Sequence, residues 1–310
     1  MTDRPVPTVP DRPTETADPD DPDDPDDQFE RERPRLVGVA YRMLGTVPDA
    51  EDVVQNVWFR WNRLTPGEVD RPAAWLTTAT TRLALDHLRS VRRRRESYVG
   101  PWLPEPLVQE DGPAESAELA ESLRLGFLTL LDELEPTERA VFLLSDVFGV
   151  PFAEIATTVG KSDVACRQIA SRARRRIRRP TARTDAGSGR AVVDALLVAL
   201  ASGHLERVMT HLAPDVVCVS DGGATRRAAR RPVVGAERVA RFLVNLTHRH
   251  LGAMEVRMVL VGGDPGTVIT LDGVIDLVTA FEVDGDRVVA VRSVRNPDKL
   301  VNVGRPVPLV

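Results

Sequence analysis

Arginine carries the first chemistry legible in this chain. From Asp163 the sequence reads DVACRQIASRARRRI. At helical spacing Cys166, Ile169, Ala170, Ala173 and Ile177 share one face. Arg167, Gln168, Ser171, Arg172, Arg174 and Arg175 lie outside it. A guanidinium can donate two bonds to guanine O6 and N7, and a glutamine amide can pair with adenine. Ser162, Arg167, Gln168 and Arg172 are therefore the base-reading candidates. Ser171 shares their side, and Arg175 and the arginines beyond suit phosphate, which positions a protein on DNA without reading sequence. The preceding PFAEIATTVG supplies a first helix, Pro151 to Val159. Gly160 follows as a turn residue that tolerates positive φ, and Ser162 or Asp163 caps the second helix. This is a helix-turn-helix pattern, which places its second helix in the major groove. Cys166 reads as a small core residue. A merely solvated basic helix is the plain alternative.

Two other segments have contrasting chemistry. LALDHLRSVRRRR ends a helix that also carries Trp75, Thr77, Thr78, Thr81 and Arg82. Polar groups beside a basic run suit a strand whose bases have been unstacked, although Trp75 by itself reads more simply as a core aromatic. Asp49, Glu51 and Asp52 argue against DNA on their face. They suit a basic protein partner, with Gln55 and Asn56 adding hydrogen bonds; in isolation, capping plus a solvated face is the plainer reading.

These groups need elements to hold them. Phe29 to Leu44 is one apolar-periodic helix, broken by GTVPD. Asp49 is the expected N-cap of the next, which aligns Val53, Val54, Val57, Trp58, Trp61 and Leu64. Asp70, Arg71 and Pro72 open a third helix, with proline in the first turn. Residues 98–116 read as a linker, yet Tyr98, Trp102, Leu103 and Leu107 predict that it docks on something. Residues 117–179 form a second helical unit, and 180–190 a second linker. In 191–303 two short helices, the strand DVVCVS and the helix GAERVARFLVNLTH precede four alternating strands, an α+β pattern. Residues 304–310 form a C-terminal tail, and 1–28, rich in Pro, Asp and Thr, a disordered acidic one.

The 310 residues carry 41 Lys and Arg against 46 Asp and Glu, a formal charge of −5. That sum hides segregation: acid ends the tail at Asp20, Asp21, Asp23, Asp24, Asp26 and Asp27, whereas arginine clusters at Arg92–Arg95 and from Arg172. Cys166 and Cys218 lie too far apart for a disulfide framework or a zinc site. No apolar run is long enough to span a membrane and no secretory leader is evident, so a cytoplasmic protein without metal or cofactor is expected.

Taken together, these segments resemble the sigma-70 superfamily of transcription initiation subunits. AYRMLGTVPDAEDVVQNVWFRWNRL resembles regions 2.1–2.2 of extracytoplasmic-function sigma factors, and PAAWLTTATTRLALDHLRSVRRRR regions 2.3–2.4. LLDELEPTERAVFLLSDVFGVPFAEIATTVGKSDVACRQIASRARRRI resembles region 4. The resemblance covers residues 29–179 and implies a non-enzymatic protein that binds promoter DNA and core RNA polymerase, through the β′ clamp and β flap. Asp49, Glu51, Asp52 and Gln55 would meet the β′ clamp helices. Trp75, Arg82, Asp86 and Arg89 would lie by the −10 element. The helix from Ser162, with Arg167, Gln168, Ser171, Arg172 and Arg175, would read the −35 element.

YVGPWLPEPLV, SDGGAT and RNPDKL are similar to three signatures of members with a fused SnoaL/NTF2-like domain, a cone made of a curved sheet with helices over one face. The fold class implied is two all-α sigma domains followed by an α+β cone that regulates them in cis. Its contacts would be Trp102, Leu103, Pro104, Glu105 and Pro106 of the linker and Asp221, Gly222 and Gly223 of the second signature. Asn296, Pro297, Asp298, Lys299 and Leu300 of the tail would complete them. The second signature usually ends in glycine; here Ala224 stands there, and alanine tolerates positive φ poorly. Two alternatives concern the cone: a sensor with a small ligand in its cavity, or an isomerase or cyclase using Asp221, His204 and His211.

If Arg172 reads a base, Arg172→Ala weakens −35 binding by about 1–3 kcal/mol and relaxes specificity at one position. If Arg172 touches only phosphate, affinity falls alike on all sequences and the salt slope shrinks. Fluorescence anisotropy across a salt series separates the two.

Overall fold

The computed structural model describes residues 25–65, 67–95, 97–109, 122–177, 186–250, 252–305 and 307. The expected acidic tail lies outside them up to residue 24, as do the linker segments 110–116 and 180–185.

Three helices form the first unit: α1 (Pro25–Leu44), α2 (Val47–Trp61) and α3 (Pro72–Arg95). Asp26 and Asp27 sit in the first turn of α1, where the positive end of the helix dipole favours acid. The cap of α2 is Thr46, not Asp49; Pro48 near the start begins the helix three residues earlier than expected, and Thr46 Oγ1 donates to Asp49 Oδ2 at 2.5 Å. The second unit holds α4 (Leu125–Leu131), α5 (Pro136–Phe142) with a π-helical turn at Leu143–Val147, α6 (Phe152–Val159) and α7 (Asp163–Arg176).

The two units share one core. Leu36, Leu44 and Leu76 of the first belong to the same buried cluster as Leu128, Leu131 and Phe142 of the second. Two buried arginines tie them as well. Arg139 Nε donates to the Arg42 carbonyl at 3.0 Å, and Arg42 Nε to Ser122 Oγ at 2.7 Å. Burial lowers the Arg42 pKa to about 10, so it stays charged at neutral pH.

The C-terminal domain has the α+β architecture expected. Helices α8 (Ala186–Ser202), α9 (Leu205–Thr210) and α10 (Ala236–His250) pack on a sheet of β2 (Leu212–Asp221), β3 (Val233–Val234), β4 (Met254–Val261), β5 (Asp264–Leu271), β6 (Val274–Asp284) and β7 (Arg287–Val294). β2 runs parallel to β7, and register shifts interrupt three of the ladders. The linker contributes β1 (Val108–Gln109), which pairs antiparallel with β4 through Val108↔Val261. The linker thus covers one sheet edge, a place where unpaired backbone invites unwanted pairing. A short 3₁₀ turn, Pro297–Lys299, follows β7.

Candidate nucleic-acid interface

The helix-turn-helix forms as its residues require. Gly160 ends α6 with φ of 68°, and Ser162 caps α7 by accepting from the Ala165 N–H at 3.2 Å. Cys166, Ile169, Ala170 and Ala173 are buried beneath it. Its arginines divide into two sets. Arg167 is held by Asp163 at 2.6 Å, Arg174 by Asp146 at 2.6 Å and Arg176 by Glu138 at 3.0 Å. Gln168, Ser171, Arg172 and Arg175 are exposed along one face, and among the described residues neither Arg172 nor Arg175 is ion-paired. Val164, 65% exposed, extends that face towards the helix start. Sequence reasoning passed it over, although an apolar residue outside the buried set is the signal, and thymine offers a methyl to such a side chain.

On α2, Glu51, Asp52, Gln55 and Asn56 are exposed together, and Phe59, 50% exposed, continues their face. Phe59 was also missed; it breaks the buried pattern just where a partner surface would. Asp49 is half-buried and accepts from Thr46 and faces His87 Nε2 at 2.9 Å, so it supports the helix start as well as its charge.

On α3, Trp75 is half-buried and stacks on Trp61 with ring centroids 5.6 Å apart, as a core aromatic does. Asp86 and Arg89 are exposed and paired at 3.0 Å. Arg82 is occupied by the other unit: it donates to the carbonyls of Thr157 at 2.8 Å and Thr158 at 3.1 Å on α6. Thr78 and Thr158 hydroxyls meet at 3.1 Å, Arg71 pairs with Glu154 at 2.9 Å, and Arg92 with Glu135 at 2.7 Å.

The three signature segments converge on one buried cluster. Asp221 is fully buried. Its Oδ1 accepts from the Tyr98 hydroxyl at 2.6 Å and the Gly223 N–H at 3.0 Å. Its Oδ2 accepts from the Leu103 N–H at 2.9 Å and Lys299 Nζ at 2.6 Å. Lys299 also donates to the Leu103 carbonyl at 2.5 Å, and Asn296 Nδ2 to the Tyr98 hydroxyl at 2.9 Å. Two cations approach the Trp102 ring, the Arg95 guanidinium 3.3 Å and Lys299 Nζ 4.1 Å from its centroid. Glu105 reaches the first unit: its Oε2 accepts from the Val47 N–H at 2.8 Å, its carbonyl accepts from the Tyr41 hydroxyl at 2.7 Å, and its Oε1 accepts from Asn302 at 2.8 Å.

Two glycine positions explain the second signature. A side chain at Gly223, with φ of 59°, would strike Asn296 at about 2.7 Å, and one at Gly222 would strike the Arg226 carbonyl at 2.4 Å. Ala224 does not have positive φ, so alanine is unstrained there. Pro104 and Pro106 are buried in the same packing, and Leu300 is 7% exposed; Pro297 and Asp298 form the short turn that delivers Lys299. Asp221, His204 and His211 do not meet: Asp221 lies under the linker, His204 is exposed before α9, and His211 follows it. Among the described residues no cluster of His, Cys, Asp or Glu has a metal-binding arrangement, and no helix is long and apolar enough to cross a membrane.

Comparison with known proteins agrees with this layout. Residues 28–94 match the sigma-70 region 2 family and residues 124–177 the sigma-70 region 4 family. The ECF RNA polymerase sigma factor SigJ of Mycobacterium tuberculosis is 39% identical over 289 residues, 88% of this chain and 92% of that one. A probable ECF RNA polymerase sigma factor of the same species, SigI, is 33% identical over 275 residues, 86% of this chain and 92% of its own. The chain is also similar to the crystal structure of SigJ, with TM-score 0.73, 37% identity and coverage of 91% of this chain and 99% of that one.

The chain belongs to the ECF RNA polymerase sigma factors. Members of this family bind core RNA polymerase and direct it to promoters, and α1–α3 and α4–α7 are the two sigma regions of this one. The sigma factor carries its C-terminal domain locked to the linker between them.

Burial lowers the Lys299 pKa to about 8, against the opposing pull of Asp221. The unfolded chain therefore holds more protons than the folded one between pH 8 and the ordinary lysine value, and stability gains from this group as pH rises through that window. Tyr98, pushed up by burial and by its bond to Asp221, acts in the opposite sense above pH ~10. Between pH 8 and 10 the stability of the parent protein relative to Lys299→Met rises with pH in urea unfolding; a difference that falls with pH contradicts this.

Proposed function

We propose that this sigma factor is held closed by its own C-terminal domain, which grips the linker between the two sigma regions. The observation that carries the reading is Arg82. A residue assigned to the −10 element spends its guanidinium on the backbone of α6, the first helix of the −35 reader. The two promoter elements lie roughly 25 base pairs apart, about 85 Å of B-DNA at 3.4 Å per pair. Helices in hydrogen-bond contact cannot serve both at once, so the regions part before the promoter is engaged. The pairs at Arg71 and Arg92 are exposed and each worth only about 0–1 kcal/mol. The shared apolar core and the linker grip are the larger obstacles.

In this reading Asp49, Glu51, Asp52 and Gln55, with Phe59, meet the β′ clamp, and region 4 meets the β flap. Trp75, Arg82, Asp86 and Arg89 serve the −10 element once α6 has moved. Ser162 orients α7 as its cap, and Gln168, Ser171, Arg172 and Arg175 face the −35 element with Arg167 beside them. In this reading the C-terminal domain is regulatory, and Asp221, His204 and His211, the catalytic candidates of the sequence, are not gathered at one place. The protein acts in the cytoplasm, where the polymerase is.

Run-off transcription with core polymerase tests the grip. A chain ending at Asn296 loses Lys299 and leaves Asp221 buried without its cation, an arrangement that costs several kcal/mol. It and a chain ending at Thr181 are expected to start transcription at a cognate promoter several-fold more readily than the full chain. Equal activity of all three refutes control through the linker.

A further inference from the structure

Between α8, α10 and the sheet lies a cavity of about 660 Å³, within the range of small-molecule sites. Its walls are apolar, with Leu197, Phe242, Leu243, Met258, Ile269 and Phe281 prominent. Two polar features interrupt them.

The first is a row of hydroxyls. Thr267, Thr279, Ser293 and Ser220 line the cavity, and they are register partners on four successive strands, β5, β6, β7 and β2. Each is buried, and the Thr279 and Ser293 hydroxyls lie 3.2 Å apart. A sheet face that serves only as core places apolar residues at such positions. The second is a basic mouth. Strand ends at Leu271, Asp276 and Arg295, the loop at Arg227 and the end of α10 at Arg249 and His250 all border one end of the cavity. Asp276 is taken up by Arg295, at 2.8 and 3.1 Å. Arg227 and Arg249 remain exposed there without an ion pair among the described residues.

We propose that the cavity binds an apolar carboxylic acid that carries a second oxygen function at the far end of its hydrocarbon chain. The carboxylate meets Arg227 and Arg249, the hydrocarbon fills the apolar walls, and the inner oxygen meets the hydroxyl row. The site adjoins the linker grip directly. Ser220 and Arg295 line the cavity, and the next residues, Asp221 and Asn296, hold the linker. Occupancy therefore shifts the residues that grip. This consequence rests on the control reading above; binding itself does not.

Calorimetric titration of the full chain with ω-hydroxydecanoate, decanoate and decanol separates the two, because it reads binding without transcription. One ω-hydroxydecanoate per chain is expected, with decanoate several-fold and decanol at least tenfold weaker. Arg227→Ala with Arg249→Ala, both exposed positions, removes the preference for acid over alcohol. Thr279→Val with Ser293→Ala removes the gain from the ω-hydroxyl. No saturable binding of any of the three, equal affinity for all, or preferences unchanged in both double variants overturns the proposal.

Discussion

Asp221 is a carboxylate wholly out of water, and such a group is tolerated only when its lone pairs are filled and its charge is answered. Here a lysine, a tyrosine hydroxyl and two backbone N–H groups do so, and they come from three distant stretches of chain. Remove any one stretch and a buried charge is left short of partners. The association of linker, sheet and tail is therefore close to all-or-none. The rest of the closed arrangement follows from it, because the linker so held also carries Trp102 onto Arg95 and Glu105 onto the start of α2.

The contact between the sigma regions has a different character. Its centre packs Leu44 and Leu76 in one cluster with Leu128 and Leu131, around the buried and hydrogen-bonded Arg42 and Arg139. Its rim consists of exposed arginine pairs and of Arg82 on backbone carbonyls. Such a rim is exchangeable, and in the proposed reading its arginines turn to phosphate or base edges when DNA competes for them. In the proposed reading, a buried lock on the linker and a shared core with an exchangeable rim are together what a switchable initiation factor needs.

Much of this was legible in the sequence where local rules act alone. Gly160 and Ser162 place the turn and the second helix because a positive φ and a cap hydroxyl are local demands. The strands of the C-terminal domain follow from alternation, and the docking of the linker from its aromatic and apolar residues. Asp49 was misread as a cap because proline after Thr46 moves the helix start back. The strand Val108–Gln109 is too short to alternate, and its partner lies more than a hundred residues on. Arg82 could be placed on a DNA-facing helix, but its present partners are backbone carbonyls, which leave no mark in residue type. Phe59 and Val164 stood outside their buried faces and could have been found by asking which apolar residues have nothing to cover them.

In the proposed reading the free chain is closed and its two sigma regions must part to engage a promoter. Spin labels at Ser90 of α3 and Lys161 of the helix-turn-helix, introduced as Ser90→Cys and Lys161→Cys, report it directly. Both positions are exposed, and Cys166 and Cys218 are buried away from the label. Pulsed electron–electron distance measurement on the free protein gives one short separation if the account holds. Addition of core polymerase and promoter DNA lengthens it by several tens of ångströms, in keeping with promoter elements about 85 Å apart. The same short distance in the promoter complex, or a long one in the free protein, contradicts the account.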